Sequence, residues 1–131
     1  MNRIAVASVL LLSCSLGMAA NWINLDGRGL SAQGEPLSLR IDQDSLVRNG
    51  DLVTIWMQMW WGSGGTIQHN NSTFDCKQRT SNSNAAFQEG SSGKRYEMPT
   101  KPQMTPIPPN TASEIVLDSV CSKKWFEVWK K

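Results

Sequence analysis

The sequence predicts an α+β domain, in which an antiparallel sheet of about five to six strands carries a C-terminal helix packed on one face. Three observations lead to this fold class. Apolar and polar residues alternate in Leu37–Asp42, which is typical of a half-buried strand. Leu52–Trp61 alternates in the same way but is largely apolar on both sides, as a central strand would be. A proline-rich segment then precedes an amphipathic stretch that reaches Cys121.

Residues 1–20 have the layout of a secretory signal peptide: a short segment with Arg3, a continuous apolar run and a small, neutral end. Cleavage beside Ala20 would release a soluble chain. A second interpretation is a lipobox at residues 11–14, which would leave a lipid on Cys14. We prefer the soluble form, because the lipobox signal would be unusually short and Leu12 is not the usual small residue. A buried N-terminal helix is the alternative to any signal peptide. Residues 21–131 then form a single domain.

Export leaves Cys76 and Cys121 as the cysteine pair of the mature domain, because Cys14 is either removed or lipidated. An oxidising compartment allows such a pair to form a disulfide bond, which would stabilise the fold by about 4 kcal/mol in the chain-entropy model. Two free buried thiols are the alternative. The expected location is the cell envelope, whether periplasm, outer membrane or cell surface.

The charge of the chain excludes one class of partner. Its formal net charge is +2, and loss of Arg3 with the signal peptide lowers it by one. A nucleic-acid-binding protein needs a concentrated basic face, so nucleic acid is not expected as a partner. No segment after the signal peptide is apolar for long enough to span a membrane.

The remaining strands are shorter, and turn residues separate them. Asn49-Gly50-Asp51 is a strong hairpin signal, because Asn-Gly tolerates the positive φ angles of the favoured turns. The polar stretches 69–72 and 80–84 are predicted as loop and turn. Five prolines between residues 99 and 109 exclude a central strand there. Further strands are predicted at residues 22–25, 73–79, 85–88 and 95–98.

The C-terminal helix begins with a recognisable capping sequence. Thr111 and Glu114 form a T-x-x-E capping box after two prolines. Leu117, Val120 and Cys121 then fall on one face at helical spacing. The helix is predicted to continue to about residue 129, with a broken helix followed by a short strand or a frayed tail as the alternative.

The chain carries a run of landmarks in this order: Trp22, Asp42, the 45–50 turn, Val53, Trp56, Phe74-Asp75-Cys76, Phe87, Gly90 and Val120-Cys121. Their order resembles that of the surface-adhesin protein E family of bacterial exported proteins. The resemblance implies a sheet of about six strands with a C-terminal helix, a disulfide bond between Cys76 and Cys121, an envelope location and a role in attachment to host surfaces. The chain departs from the family at residues 109–111 and in a tail that extends past Cys121.

Catalytic and metal-binding patterns are missing from the sequence. The single histidine, His69, lies in a polar stretch and is interpreted as an exposed loop side chain. No nucleophile elbow accompanies it, and the two cysteines lack the paired spacing of a zinc site. We therefore expect no enzyme activity, no cofactor and no metal.

Tryptophan supplies the functional prediction, since six tryptophans are many for this length. Adjacent strand residues point to opposite faces, so Trp60 and Trp61 cannot both enter one core. The tail either covers one of them or protrudes as an aromatic and basic patch. The candidate binding surface comprises Trp60, Trp61, Trp125, Trp129, Lys130 and Lys131.

Two functions compete for this surface. The first is a non-enzymatic surface adhesin that binds a host or envelope protein. The second is a structural or assembly factor within a larger complex of the periplasm or outer membrane. Membrane contact is expected only through a lipid on Cys14 or through the tryptophan and lysine tail.

Overall fold

The computed structural model describes residues 20–25, 37–62 and 65–122. The predicted signal peptide, Cys14 as a lipidation site and the tail beyond residue 122 lie outside these residues. No helix in the described ranges is both long and apolar enough to cross a membrane. The elements are β1 (Trp22–Leu25), β2 (Leu37–Asp42), a 3₁₀ turn (Gln43–Ser45), β3 (Val47–Asn49), β4 (Leu52–Trp61), β5 (Ile67–Asp75), β6 (Thr80–Glu89), β7 (Arg95–Glu97), β8 (Thr105–Pro106) and α1 (Ala112–Cys121).

The strands form one antiparallel sheet in the order β1-β2-β4-β5-β6-β7, with β3 beside β4 and β8 beside β6. The α+β fold class is therefore confirmed, with a sheet of eight strands, six of them in the main order. Both β2 and β3 lie along the same edge of β4. The 3₁₀ turn separates β2 from β3 along this edge. Ser45, the last residue of the turn, replaces the missing backbone pairing with side-chain hydrogen bonds: its hydroxyl donates to Asp42 O at 2.8 Å and accepts from Trp56 N at 2.9 Å.

The predicted Asn-Gly hairpin connects β3 to the central strand. Asn49 pairs with Leu52, which leaves Gly50 and Asp51 as the loop. Gly50 has φ +61°, a conformation in which a side chain is strained. Cys76 N donates to Asp51 O at 2.8 Å, so this hairpin also holds the chain at the end of β5.

The capping sequence of α1 works nearly as predicted. Thr111 Oγ1 accepts from Glu114 N at 3.3 Å. The Glu114 carboxylate accepts from Asn110 N at 2.6 Å, one residue before the position of a standard capping box. The helix ends at Cys121, because Ser122 is extended, so a continuous helix into the tail is not observed.

The core lies between α1 and one face of the sheet. Val116, Leu117 and Val120 are the buried helix residues, and they lie over the odd-numbered side chains of β4. The Cys76–Cys121 disulfide is present, with Cα atoms 5.6 Å apart, and fastens the last residue of α1 to the turn after β5. The largest fully buried side chains are Phe74, Leu39, Ile41, Ile55, Leu117, Val53, Val116 and Val120.

Two polar stretches that were predicted as loop and turn, residues 69–72 and 80–84, belong to β5 and β6. Side-chain hydrogen bonds across the strands explain the difference. The register of β5 and β6 shifts after Asn71, and Asn84 Nδ2 at this irregularity donates to Asn71 Oδ1 and Thr73 Oγ1, both at 3.0 Å. Thr73 Oγ1 is also 2.8 Å from Thr54 Oγ1 of β4.

Candidate binding surface

The face of the sheet opposite α1 carries a row of aromatic and polar side chains. In β4, Val53, Ile55, Met57 and Met59 are buried on the helix side, so the alternating Trp56, Gln58 and Trp60 belong to the other side. We call this second side the aromatic face and define it by Trp22, Arg40, Trp56, Gln58, Trp60, His69 and Phe87.

Arg40 of β2 lies between two tryptophan rings at one end of the aromatic face. Its guanidinium carbon lies 5.1 Å from the centroid of the Trp22 ring and 5.3 Å from that of Trp60. These rings come from the strands that flank β2, so the cation is held between them by cation–π attraction. Arg40 Nε donates to Gln58 Oε1. Within the described ranges no carboxylate forms an ion pair with Arg40.

His69 of β5 occupies the middle of the same face, and the prediction of an exposed loop histidine is wrong. Its side chain is only 12% exposed and stacks on Phe87 with the ring centroids 4.3 Å apart. Arg95 also lies over the Phe87 ring, with its guanidinium carbon 3.7 Å from the centroid. A polar row thus runs from Arg40 through Gln58 and His69 across three strands.

The hydrogen bonds of this row favour a neutral imidazole. Gln58 Oε1 accepts from Arg40, so the Gln58 amide nitrogen is the group that faces His69 Nδ1, at 3.1 Å. An amide nitrogen only donates, which makes Nδ1 the acceptor and places the ring proton on Nε2. Nε2 is buried 3.3 Å from Glu89 Oε2, in a geometry that leaves it without a hydrogen bond. Burial lowers the pKa of His69, and the nearby Arg40 and Arg95 lower it further, against an opposing effect of Glu89.

We expect the stability of the protein to fall as the pH is lowered through 6.5, the ordinary histidine pKa. The folded pKa is lowered, so the unfolded chain takes up the proton first and protonation favours unfolding. His69→Gln should remove this component, which urea unfolding at pH values from about 5 to 8 would measure. The difference between the pH profiles of the wild type and of His69→Gln gives the contribution of His69 alone, because the carboxylates titrate in both proteins. If the two profiles coincide, the inference that folding lowers the pKa of His69 is contradicted.

The two described members of the predicted surface, Trp60 and Trp61, lie on opposite faces of the sheet. Trp60 lies on the aromatic face, whereas Trp61 lies on the helix side, where it pairs with Leu37 at the end of the sheet and is 36% exposed. The other four members of the predicted surface, Trp125, Trp129, Lys130 and Lys131, lie outside the described residues. Trp22, Arg40 and Phe87, which share the aromatic face with Trp60, were not predicted as members of the binding surface. The alternation of side chains along β2 and β4 was the sequence signal that could have placed Arg40, Gln58 and Trp60 on the face opposite the buried residues.

Metal-binding chemistry has no support in the described ranges, where no group of three or more His, Cys, Asp or Glu residues is placed to hold an ion. The aromatic face instead presents large rings, the Arg40 guanidinium group and the Gln58 amide, which suit non-covalent contact. The chain matches no protein-family model, no curated protein and no solved structure.

Proposed function

We propose that this chain is an exported, non-enzymatic protein-binding module of the bacterial envelope, and that the aromatic face holds its partner. Arg40 carries the proposal: a cation set between Trp22 and Trp60, without a carboxylate partner in the described part of the chain. Tryptophan and arginine are the residue types that most often dominate the energy of protein interfaces.

The chemistry of the face indicates what the partner presents. Gln58 accepts from the Nε of Arg40. No other described residue takes the terminal nitrogens, so within this part of the chain they are available to a carboxylate, which guanidinium groups bind in a planar, two-pronged geometry. Trp22 and Trp60 are half-buried and offer ring surface on either side. A partner segment with an acidic residue next to an apolar one fits this arrangement.

The location rests on the disulfide bond and on the sequence. A bond between Cys76 and Cys121 indicates an oxidising compartment, and the predicted signal peptide supplies the route. Attachment to a host surface follows from the family resemblance, and we propose it ahead of the assembly factor. The two functions would use the same face.

We expect Arg40→Met to weaken partner binding by at least about tenfold, as loss of an interface hot spot does. The measurement is saturable binding of the labelled mature protein to cultured epithelial cells. Trp60→Ala should weaken binding similarly, because it removes one of the two rings around the cation.

Lys77→Met is the matched control, since Lys77 is an exposed cation in the turn after β5. It should bind as the wild type does. Equal binding by wild type and Arg40→Met would overturn the role of the aromatic face. Protease treatment of intact bacteria separates the two functions: an adhesin is digested, whereas a periplasmic factor survives and would refute attachment.

A further inference from the structure

A polar cavity of about 200 Å³ lies on the helix side of the sheet, away from the aromatic face. β4, β5 and β6 supply its floor, and the segment before β8 and the first turn of α1 supply its walls. The lining residues that matter are Met57, Met59, Asn70, Ser72, Lys101 and Ser113.

Asn70 has a hydrogen-bond donor that no other described residue uses. Its side chain is buried, with the residue only 7% exposed, and it lines the cavity. Gln68 Nε2 donates to Asn70 Oδ1 at 3.4 Å, whereas Asn70 Nδ2 has no hydrogen-bond partner in the part of the chain that the structure describes. Buried polar groups are nearly always paired, and an unpaired donor is costly. The position of this donor in a cavity therefore indicates a ligand that brings an acceptor.

The charges around the cavity determine the kind of acceptor. Among the described residues that line it, Lys101 is the only charged one, and its side chain is on the exposed segment before β8. The hydroxyls of Ser72 and Ser113 add further donors. With one cation, several donors and no lining carboxylate, the cavity favours an anion.

The floor of the cavity indicates the chemistry of the uncharged part of the ligand. Met57 pairs directly with Asn70 across β4 and β5, and Met59 is the next residue on the same side. These flexible thioether chains adapt to short carbon chains. An anion with an apolar part fits this floor better than an inorganic anion does. The volume is below the range typical of drug-sized pockets, so the ligand is small.

We propose that this cavity binds a short-chain organic carboxylate. The carboxylate accepts hydrogen bonds from Asn70 Nδ2 and from the Lys101 ammonium group. Its carbon chain lies against Met57 and Met59. This site is independent of partner binding, because it is on the opposite face of the sheet.

The test is a titration of the mature protein with sodium butyrate at constant ionic strength, followed by NMR. The side-chain amide signals of Asn70 should shift in a saturable way, since this group contacts the ligand. Lys101→Met should weaken binding by about tenfold, because it removes a charge-assisted hydrogen bond. Asn70→Asp should weaken it by more than that, because it places a negative charge in the cavity.

Two controls make the result specific. Lys94→Met removes an exposed lysine outside the cavity and should leave the butyrate affinity unchanged. Butyramide has the shape of butyrate without its charge and should not bind. The proposal is overturned if the Asn70 signals do not shift, or if inorganic phosphate shifts them and butyrate does not. Equal butyrate affinity of the wild type and Lys101→Met also overturns the proposal. If Asn70→Asp does not fold, Lys101→Met alone serves as the test.

Discussion

Replacing Cys76 and Cys121 together by alanine is expected to lower the free energy of unfolding by about 4 kcal/mol. The bond closes a loop with a sequence separation of 45, and its loss lets the unfolded chain gain the corresponding conformational entropy. Net stabilities of domains are about 5–15 kcal/mol, so this is a large part of the total. Urea unfolding of the mature protein measures the change.

Reduction of the wild-type protein provides the comparison for this variant. The reduced protein and the double variant should have similar unfolding midpoints, both well below that of the oxidised protein. Addition of reductant should leave the double variant unchanged. If the oxidised and reduced wild-type proteins unfold at the same urea concentration, the bond does not stabilise the fold.

Phe74→Ala is expected to cost about 3–5 kcal/mol, the usual range for truncating a buried phenylalanine. Phe74 is fully buried, pairs with Val53 of β4 and belongs to the core cluster that contains Val116, Leu117 and Val120. Truncation removes apolar contact and leaves a cavity beneath α1. The same urea unfolding assay gives the difference in free energy.

Tyr96→Ala is the matched aromatic control, because Tyr96 is 52% exposed in β7. Its replacement should change the free energy of unfolding by less than about 0.5 kcal/mol. A loss for Phe74→Ala as small as that for Tyr96→Ala would mean that α1 does not depend on this side chain for its packing.

The parts of the fold that sequence reasoning predicts are those in which burial differs between neighbours. β2 is one case, since Leu37, Leu39 and Ile41 are buried and the residues between them are not. The start of α1 is another, because Thr111 accepts from the backbone of its first turn. Both signals are local, so they do not require knowledge of the partner strands.

β5 and β6 are less predictable because their polar side chains are partnered by one another. Asn71, Thr73 and Asn84 hydrogen-bond across the two strands, which compensates for their low apolar content. No hydrophobic period of two is then visible in residues 69–72 and 80–84, the parts of these strands that were predicted as loop and turn. The misassignment of His69 has the same origin, since Phe87 from the next strand covers it.

Prediction of the aromatic face would have required the register of the strand pairs as well as the positions of the strands. Alternation alone places Arg40 and Trp60 on one face or the other of their own strands. Their approach depends on the pairing of Arg40 with Gln58 and of Ser38 with Trp60. The addition of Trp22 depends on the pairing of β1 with β2, which a single sequence does not specify.

The disulfide bond also determines how the domain carries mechanical load. A pull on the chain beyond Ser122 passes from Cys121 through the sulfur atoms to Cys76, and so enters the sheet at the end of β5. The segment between the two cysteines, residues 77–120, is bypassed, so tension from this direction does not unwind α1 or strip β6 to β8 from the sheet. Such a covalent shortcut keeps the segment between the two cysteines folded when the domain is pulled from its C-terminal end.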